Sequence, residues 1–161
     1  MTTVIRQATN ADLPAVLALC AELDVGSAGD EQGLTLAQAQ ALLAEFARYP
    51  SYRLFVACEG AHSDAPIVAT YTLLVMHNLA HGGTPSAIVE DVVVAHAHQG
   101  KGLGTQLMKH AMALAAQAGC YKLALSSNGR RLGAHAFYES LGFARHGVSF
   151  AIDPRATGEA P

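Results

Sequence analysis

Charge of either sign is scarce in this sequence: 14% of its 161 residues are charged, against 51% that are hydrophobic. A chain with that much apolar material and so little charge is not a disordered, solvated one. The formal net charge of −3 leaves no basic surplus, which argues against coating nucleic acid or an anionic membrane through bulk electrostatics. A local anion site is compatible with that balance, because a few backbone N–H groups and one lysine do not register in a net charge. Cysteine is scarce too. Cys20, Cys58 and Cys120 are odd in number, widely spaced and without a C-x-x-C pair, which suits reduced thiols better than a disulfide framework. No apolar stretch approaches the roughly 20 residues that span a bilayer. The opening MTTVIRQATNADLP has no apolar core behind Arg6, as a signal peptide would need. The expectation is a soluble, cytoplasmic protein with neither nucleic-acid nor membrane partner. Residues 1–153 are expected to form one domain, with 154–161 a frayed tail.

What is present reads as alternating helix and strand signals. Val4 to Ala8 has the composition of a strand. Thr9-Asn10-Ala11-Asp12 offers a capping box, and Leu13, Val16, Leu17 and Cys20 follow at helical spacing. Val25 to Gly33 reads as a loop. A second capping pattern, Thr35-x-x-Gln38, opens a helix that stops before Pro50. Strands are then expected over Tyr52–Cys58, Ile67–Met76 and Ala87–Val94. A helix follows the glycine turn at Gln99–Gly104, with Leu103, Leu107, Ala111, Leu114 and Ala118 on one face. Tyr121–Ser126 reads as a strand, Arg131–Ser140 as a helix and Phe143–Ile152 as a last strand. The order β-α-α-β-β-β-α-β-α-β belongs to the mixed α/β (α+β) class. Consecutive strands suggest an antiparallel meander, and the later crossovers suggest parallel pairing, in a sheet flanked by helices.

The run Gln99-Gly100-Lys101-Gly102-Leu103-Gly104-Thr105 lies between a strand and a helix. Its glycines let the backbone approach a ligand without a Cβ in the way. The helix start supplies N–H groups without intrahelical partners and a partial positive charge, so a phosphate is the natural guest. A dinucleotide fingerprint needs G-x-G-x-x-G, and here the third glycine comes one residue early, at Gly104. A P-loop needs Ser or Thr after the lysine, and Lys101 precedes Gly102. Both common nucleotide motifs fail on spacing.

Gln99-x-x-Gly102-x-Gly104 resembles the Q/R-x-x-G-x-G/A signature of the GCN5-related N-acetyltransferase (GNAT) family. Glu90-Asp91-Val92-Val93-Val94 is similar to the strand before that signature. Ala134-x-x-Phe137-Tyr138-x-x-x-Gly142-Phe143 is similar to the family's second block, and Ile5-Arg6-x-Ala8-Thr9-x-x-Asp12 to its opening. The resemblance covers nearly the whole chain and is strongest from Ile88 to Phe143. It implies acetyl-CoA as co-substrate, with no metal, and a primary amine, of a small molecule first of all, as acceptor. Backbone groups of Val92, Val93 and Val94 would pair with the pantetheine arm as an added strand. Gln99, Gly100, Lys101, Gly102, Leu103, Gly104 and Thr105 would hold the pyrophosphate, and Phe137 is placed on the cofactor side. Tyr138 stands where the family protonates the departing thiolate.

A protonated amine must also lose a proton, and a carboxylate on the central strand could take it. Adjacent strand residues point to opposite faces, so Glu90 and Asp91 cannot both serve unless a bulge intervenes. Glu90 is the favoured base and Asp91 a structural or substrate-contact residue. His96 and His98, like His77 and His81, lack companions at metal-ligand spacing and read as solvated loop histidines. His135, three residues before Tyr138 on the same helical face, is a candidate for tuning the site. The acceptor side is expected from residues roughly 24 to 35 and 76 to 86. Alternatives within reach of the same motifs are a protein-lysine acetyltransferase and a regulatory module that binds acetyl-CoA without turning it over. A homodimer through the last strand is possible by analogy with the family.

Overall fold

A computed structural model describes residues 3–22, 33–60, 62 and 64–153. Of the loop expected over Val25–Gly33 all but Gly33, with the matching part of the expected acceptor side and the tail expected from 154, lies outside the described residues. The chain divides into two compact units, Met1–Leu125 and Ser126–Pro161.

The first unit is built on a five-stranded sheet in the order β1 (Thr3–Gln7), β2 (Tyr52–Glu59), β3 (Ile67–Met76), β4 (Ser86–Val94), β5 (Leu123–Ala124). The first four strands run antiparallel to their neighbours, and β5 is parallel to β4. Helices α1 (Leu13–Cys20), α2 (Leu36–Ala47) and α3 (Leu103–Gln117) complete the unit. Strand β2 shows how they are layered. Leu54 and Val56 pack with Leu13, Val16 and Ala39 of α1 and α2. Phe55, between them in sequence, stacks on Tyr71 of β3 and meets His110 of α3 edge-on. Both faces of the sheet are therefore covered, and Leu54–Cys58 and Val68–Leu73 are buried without alternation. A strand covered on both faces reads as a continuous apolar run. α3 buries Leu103, Leu107, Met108, Ala111 and Ala115, one stripe of a 3.6-residue period.

Both capping patterns form. Thr9 N–H and Oγ1 donate to Asp12 Oδ2 at 2.7 and 2.9 Å. Thr35 Oγ1 accepts from Gln38 N–H at 3.3 Å while Gln38 Oε1 accepts from Thr35 N–H at 2.8 Å. Asp12 has a second task that the capping pattern alone does not announce. Its two oxygens accept from Arg6 at 2.7 and 2.8 Å, a forked pair that ties β1 to the start of α1.

The second unit holds helix α4 (Leu132–Ser140), where the sequence places it. The last strand expected over Phe143–Ile152 does not form; those residues carry no strand assignment. Gly142 and Gly147 stand at φ of +91° and +79°, and Val148, Phe150 and Ile152 are 79%, 92% and 76% exposed. Strand composition alone does not make a strand, because extended backbone needs a partner edge to bond. The expected strand over Tyr121–Ser126 also shrinks, to Leu123–Ala124.

Candidate functional site

The glycine turn has the geometry of an anion cradle. Gly100 and Gly102 stand at φ of +73° and +79°, where a side chain would be strained. A Cβ added at either would meet nothing within 4 Å, so the space beside the turn is open to a ligand. The first backbone bond of α3 runs from Gln106 N–H to Gly102 carbonyl at 3.2 Å. The N–H groups of Leu103, Gly104 and Thr105 stand ahead of it at the positive end of the helix. Leu103 is buried and anchors the turn, while Lys101 is exposed beside it. Gln99 contributes more than backbone: its Nε2 donates to the Val94 carbonyl at 3.0 Å, folding the turn back onto the strand end.

Strand β4 leads into that turn with one side open. Its pairing with β5 runs only through Ala87↔Leu123 and Ile88↔Ala124. Beyond Ile88, among the described residues of this unit, the edge of β4 away from β3 has no strand partner. The bulge that the two carboxylates would require is present. Thr72 faces Glu90 and Thr70 faces Val93, so Tyr71 alone stands against Asp91 and Val92. Asp91 takes a φ of +51°, a region its short polar side chain tolerates better than most. The Glu90 carbonyl accepts from Thr72 Oγ1 at 3.1 Å. Glu90 and Asp91 are both exposed. The half-buried Cys20 thiol of α1 lies within the reach of Asp91: burial first, and the Asp91 charge second, push its pKa up.

Tyr138 lies on α4 in the second unit. It is half-buried, 5.2 Å from the Phe137 ring and 6.0 Å edge-on from Phe143 between centroids. Burial raises its phenol above the ordinary value of 10.0, against a smaller opposing effect of Arg131. A phenol pushed upward stays protonated at neutral pH and is available as a donor. His135 has its own occupation: its Nε2 pairs with the Asn128 carbonyl at 2.9 Å, bracing the helix start.

Three pairs were not legible as such in the sequence. The Tyr71 hydroxyl meets His110 Nδ1 at 2.6 Å. Burial raises the phenol and lowers the imidazole, so the phenol donates to a neutral ring. His98, read as a solvated loop residue, is instead 21% exposed, with Nε2 3.1 Å from Glu59 Oε2. His96 is paired as well, its N–H and Nδ1 within 2.8 and 2.9 Å of Glu22 Oε2. Partners 39 or 74 residues distant along the chain leave no local spacing signal. His77 and His81 take part in no metal-like set, and among the described residues no three His, Cys, Asp or Glu gather as a metal would require. No described helix is long and apolar enough to cross a membrane.

Comparison with known proteins bears on this arrangement. Residues 20–143 match the model of the acetyltransferase (GNAT) family. A rice (Oryza sativa subsp. japonica) protein described as a glucosamine 6-phosphate N-acetyltransferase is 36% identical over 99 residues, 62% of this chain and 58% of its own. The glucosamine 6-phosphate N-acetyltransferase of Trypanosoma brucei brucei is 34% identical over 54% of this chain and 57% of its own. The matched part thus spans a little over half the length of these curated relatives. A solved chain from Agrobacterium tumefaciens described as an acetyltransferase superimposes with a TM-score of 0.80. It is 35% identical, over 93% of this chain and 99% of its own.

Proposed function

The chain belongs to the acetyltransferase (GNAT) family, and we propose that it transfers the acetyl group of acetyl-CoA to the primary amine of a small molecule, residues 1–153 acting as one catalytic domain. The observation that carries the reading is the open edge of β4 running into the glycine turn. An extended pantetheine arm can pair with Val92, Val93 and Val94 as a strand would. Its pyrophosphate then falls to the N–H groups from Gln99 to Thr105, where Gly100 and Gly102 leave empty the space a side chain would fill.

Bound acetyl-CoA supplies an activated thioester. Glu90, exposed at the bulge, accepts a proton from the acceptor's ammonium, whose pKa of about 10.4 for a lysine-like amine keeps it charged at neutral pH. The freed amine attacks the acetyl carbonyl, a C–N bond forms as the C–S bond breaks, Tyr138 donates its proton to the departing sulfur, and the phenolate it leaves takes back the second proton that the nitrogen sheds as it becomes an amide. Asp91 belongs to the bulge that shapes the strand. Holding both reactants turns a slow bimolecular aminolysis into an effectively unimolecular step. The names of the rice and trypanosome relatives make glucosamine 6-phosphate the first acceptor to try. The experiment is thiol release from acetyl-CoA by the purified chain, followed with a thiol reagent against a panel of amines. Release should appear with this amino sugar phosphate and not with acetyl-CoA alone. Acetyl-CoA binding without release on any primary amine would instead favour a binding-only module.

The reading extends to a homodimer. Val148, Phe150 and Ile152 are exposed apolar side chains at alternate positions of a segment with strand composition, and such a segment is completed by pairing with a second copy. Light scattering on the eluted protein should give twice the chain mass, and Phe150→Lys should halve it. A wild-type chain that stays monomeric at tens of micromolar removes the dimer from the reading.

A further inference from the structure

The glycines of the cradle cannot hold its shape, which therefore rests on the residues around them. Gly100 and Gly102 carry no side chain to pack and roam more of backbone space than any other residue. Backbone donors act together on one phosphate group only when they are held in register, so a turn fixed beforehand in its binding shape binds more tightly than one that must be ordered by the ligand. Leu103 and the Gln99 amide hold the turn to its own helix and strand, and a contact from further across the sheet would hold it against movement as a whole.

The geometry points to His98 and Glu59 as the clamp that holds the cofactor turn in its binding shape, with His98 a positioning residue for acetyl-CoA. This inference rests on the reading that the turn binds the donor. His98 closes the short 3-10 turn His96–His98 immediately before Gln99. Glu59 ends β2, on the far side of β3 from β4. Their contact at 3.1 Å therefore reaches across a strand to tie the front of the turn to the sheet. Both partners are mostly covered, at 21% and 35% side-chain exposure, unlike the exposed pairs Arg48–Glu45 and Arg145–Glu139. Glu59 and His98 line a cavity of about 40 Å³ together with Lys101, Leu103 and Gln106. The clamp thus shares a cavity lining with the turn's own lysine and the first residues of α3. A second tie, His96 N–H to Glu22 Oε2 at 2.8 Å, holds the other end of the 3-10 turn to the end of α1. The Gln99 amide on Val94 holds the turn to its own strand only. His98 is the tie that crosses the sheet.

Titration of free CoA into the purified chain by calorimetry, alongside steady-state kinetics, tests the clamp. His98→Ala should raise the CoA Kd and the acetyl-CoA KM about tenfold and leave kcat within twofold. His98→Gln keeps a donor N–H near the reach of Nε2 and should come within threefold of wild type. Glu59→Ala breaks the contact from the other side and should match His98→Ala, the double variant binding no more weakly than either single. Wild-type CoA affinity in a folded His98→Ala chain overturns the clamp, and so do additive losses in the double variant or a His98→Gln chain as weak as His98→Ala. If His98→Ala does not fold, the Glu59→Ala and His98→Gln comparison decides by the same thresholds. Wild-type protein that binds no CoA fails the donor reading itself, and is distinguishable from all of these.

Discussion

Tyr138→Phe is expected to lower kcat for acetyl transfer about a hundredfold at neutral pH, with the KM for acetyl-CoA changed little. The exchange removes one hydroxyl and leaves the ring between Phe137 and Phe143, so packing and donor binding survive. What is lost is the proton offered to the departing sulfur, and a placed acid contributes on the order of 10²- to 10⁴-fold. A loss confined to kcat identifies an interaction made in the transition state alone. Burial lifts the phenol above its ordinary value, so the wild-type enzyme should keep its acid form across the neutral range. Its rate should therefore show no fall from this group until the pH exceeds 10. Turnover by Tyr138→Phe within threefold of wild type between pH 7 and 8 would end Tyr138's assignment as the acid.

Asp12→Ala should have the largest effect on stability. The carboxylate is 7% exposed; it accepts two bonds from Arg6 and two from Thr9. Its removal leaves covered donors without their acceptor, at about 3 kcal/mol. For a chain of this size that is a fall in Tm of roughly 6 to 12 °C, measurable by calorimetry. The pH dependence follows from the same contacts. The Arg6 guanidinium, and then the Thr9 N–H and hydroxyl, hold the Asp12 carboxyl down from 3.8 to about 2, against the opposing effect of burial. A carboxyl whose folded pKa lies below its unfolded one contributes stability that is complete above about pH 4. That contribution fades as the pH falls toward 2. Wild type should lose this increment between pH 4 and 2, while Asp12→Ala should not show it. Equal melting temperatures for the two proteins at pH 7 would contradict the account.

How much of this was legible beforehand depends on how local each cause is. The strands Ile67–Met76 and Tyr52–Glu59 could be read because burial on both faces makes an apolar run that turn residues bound. The capping boxes could be read because donor and acceptor stand three residues apart. The glycine turn was legible for a similar reason, since positive φ at Gly100 and Gly102 is a demand that glycine meets without strain. Asp91 was not. Its bulge arises because Tyr71 of the opposite strand faces two residues, and no pattern within Glu90–Val94 records that. The segment Phe143–Ile152 misled for the complementary reason: β composition describes a side chain's fit to a sheet and says nothing of whether an edge is offered.

The sequence by itself determined the class of fold, the order of its elements as far as α4, and the glycine turn between β4 and α3. Each of these follows from side-chain period or from backbone freedom within a few residues. Tertiary structure decided the rest. It set Asp91 as the inserted residue, left β4 with an open edge beyond Ile88, and joined His98 to Glu59 and Tyr71 to His110 across 39 positions. Those are relations between strands and helices that meet only after the chain has folded, and burial then sets the protonation of Tyr71 and His110.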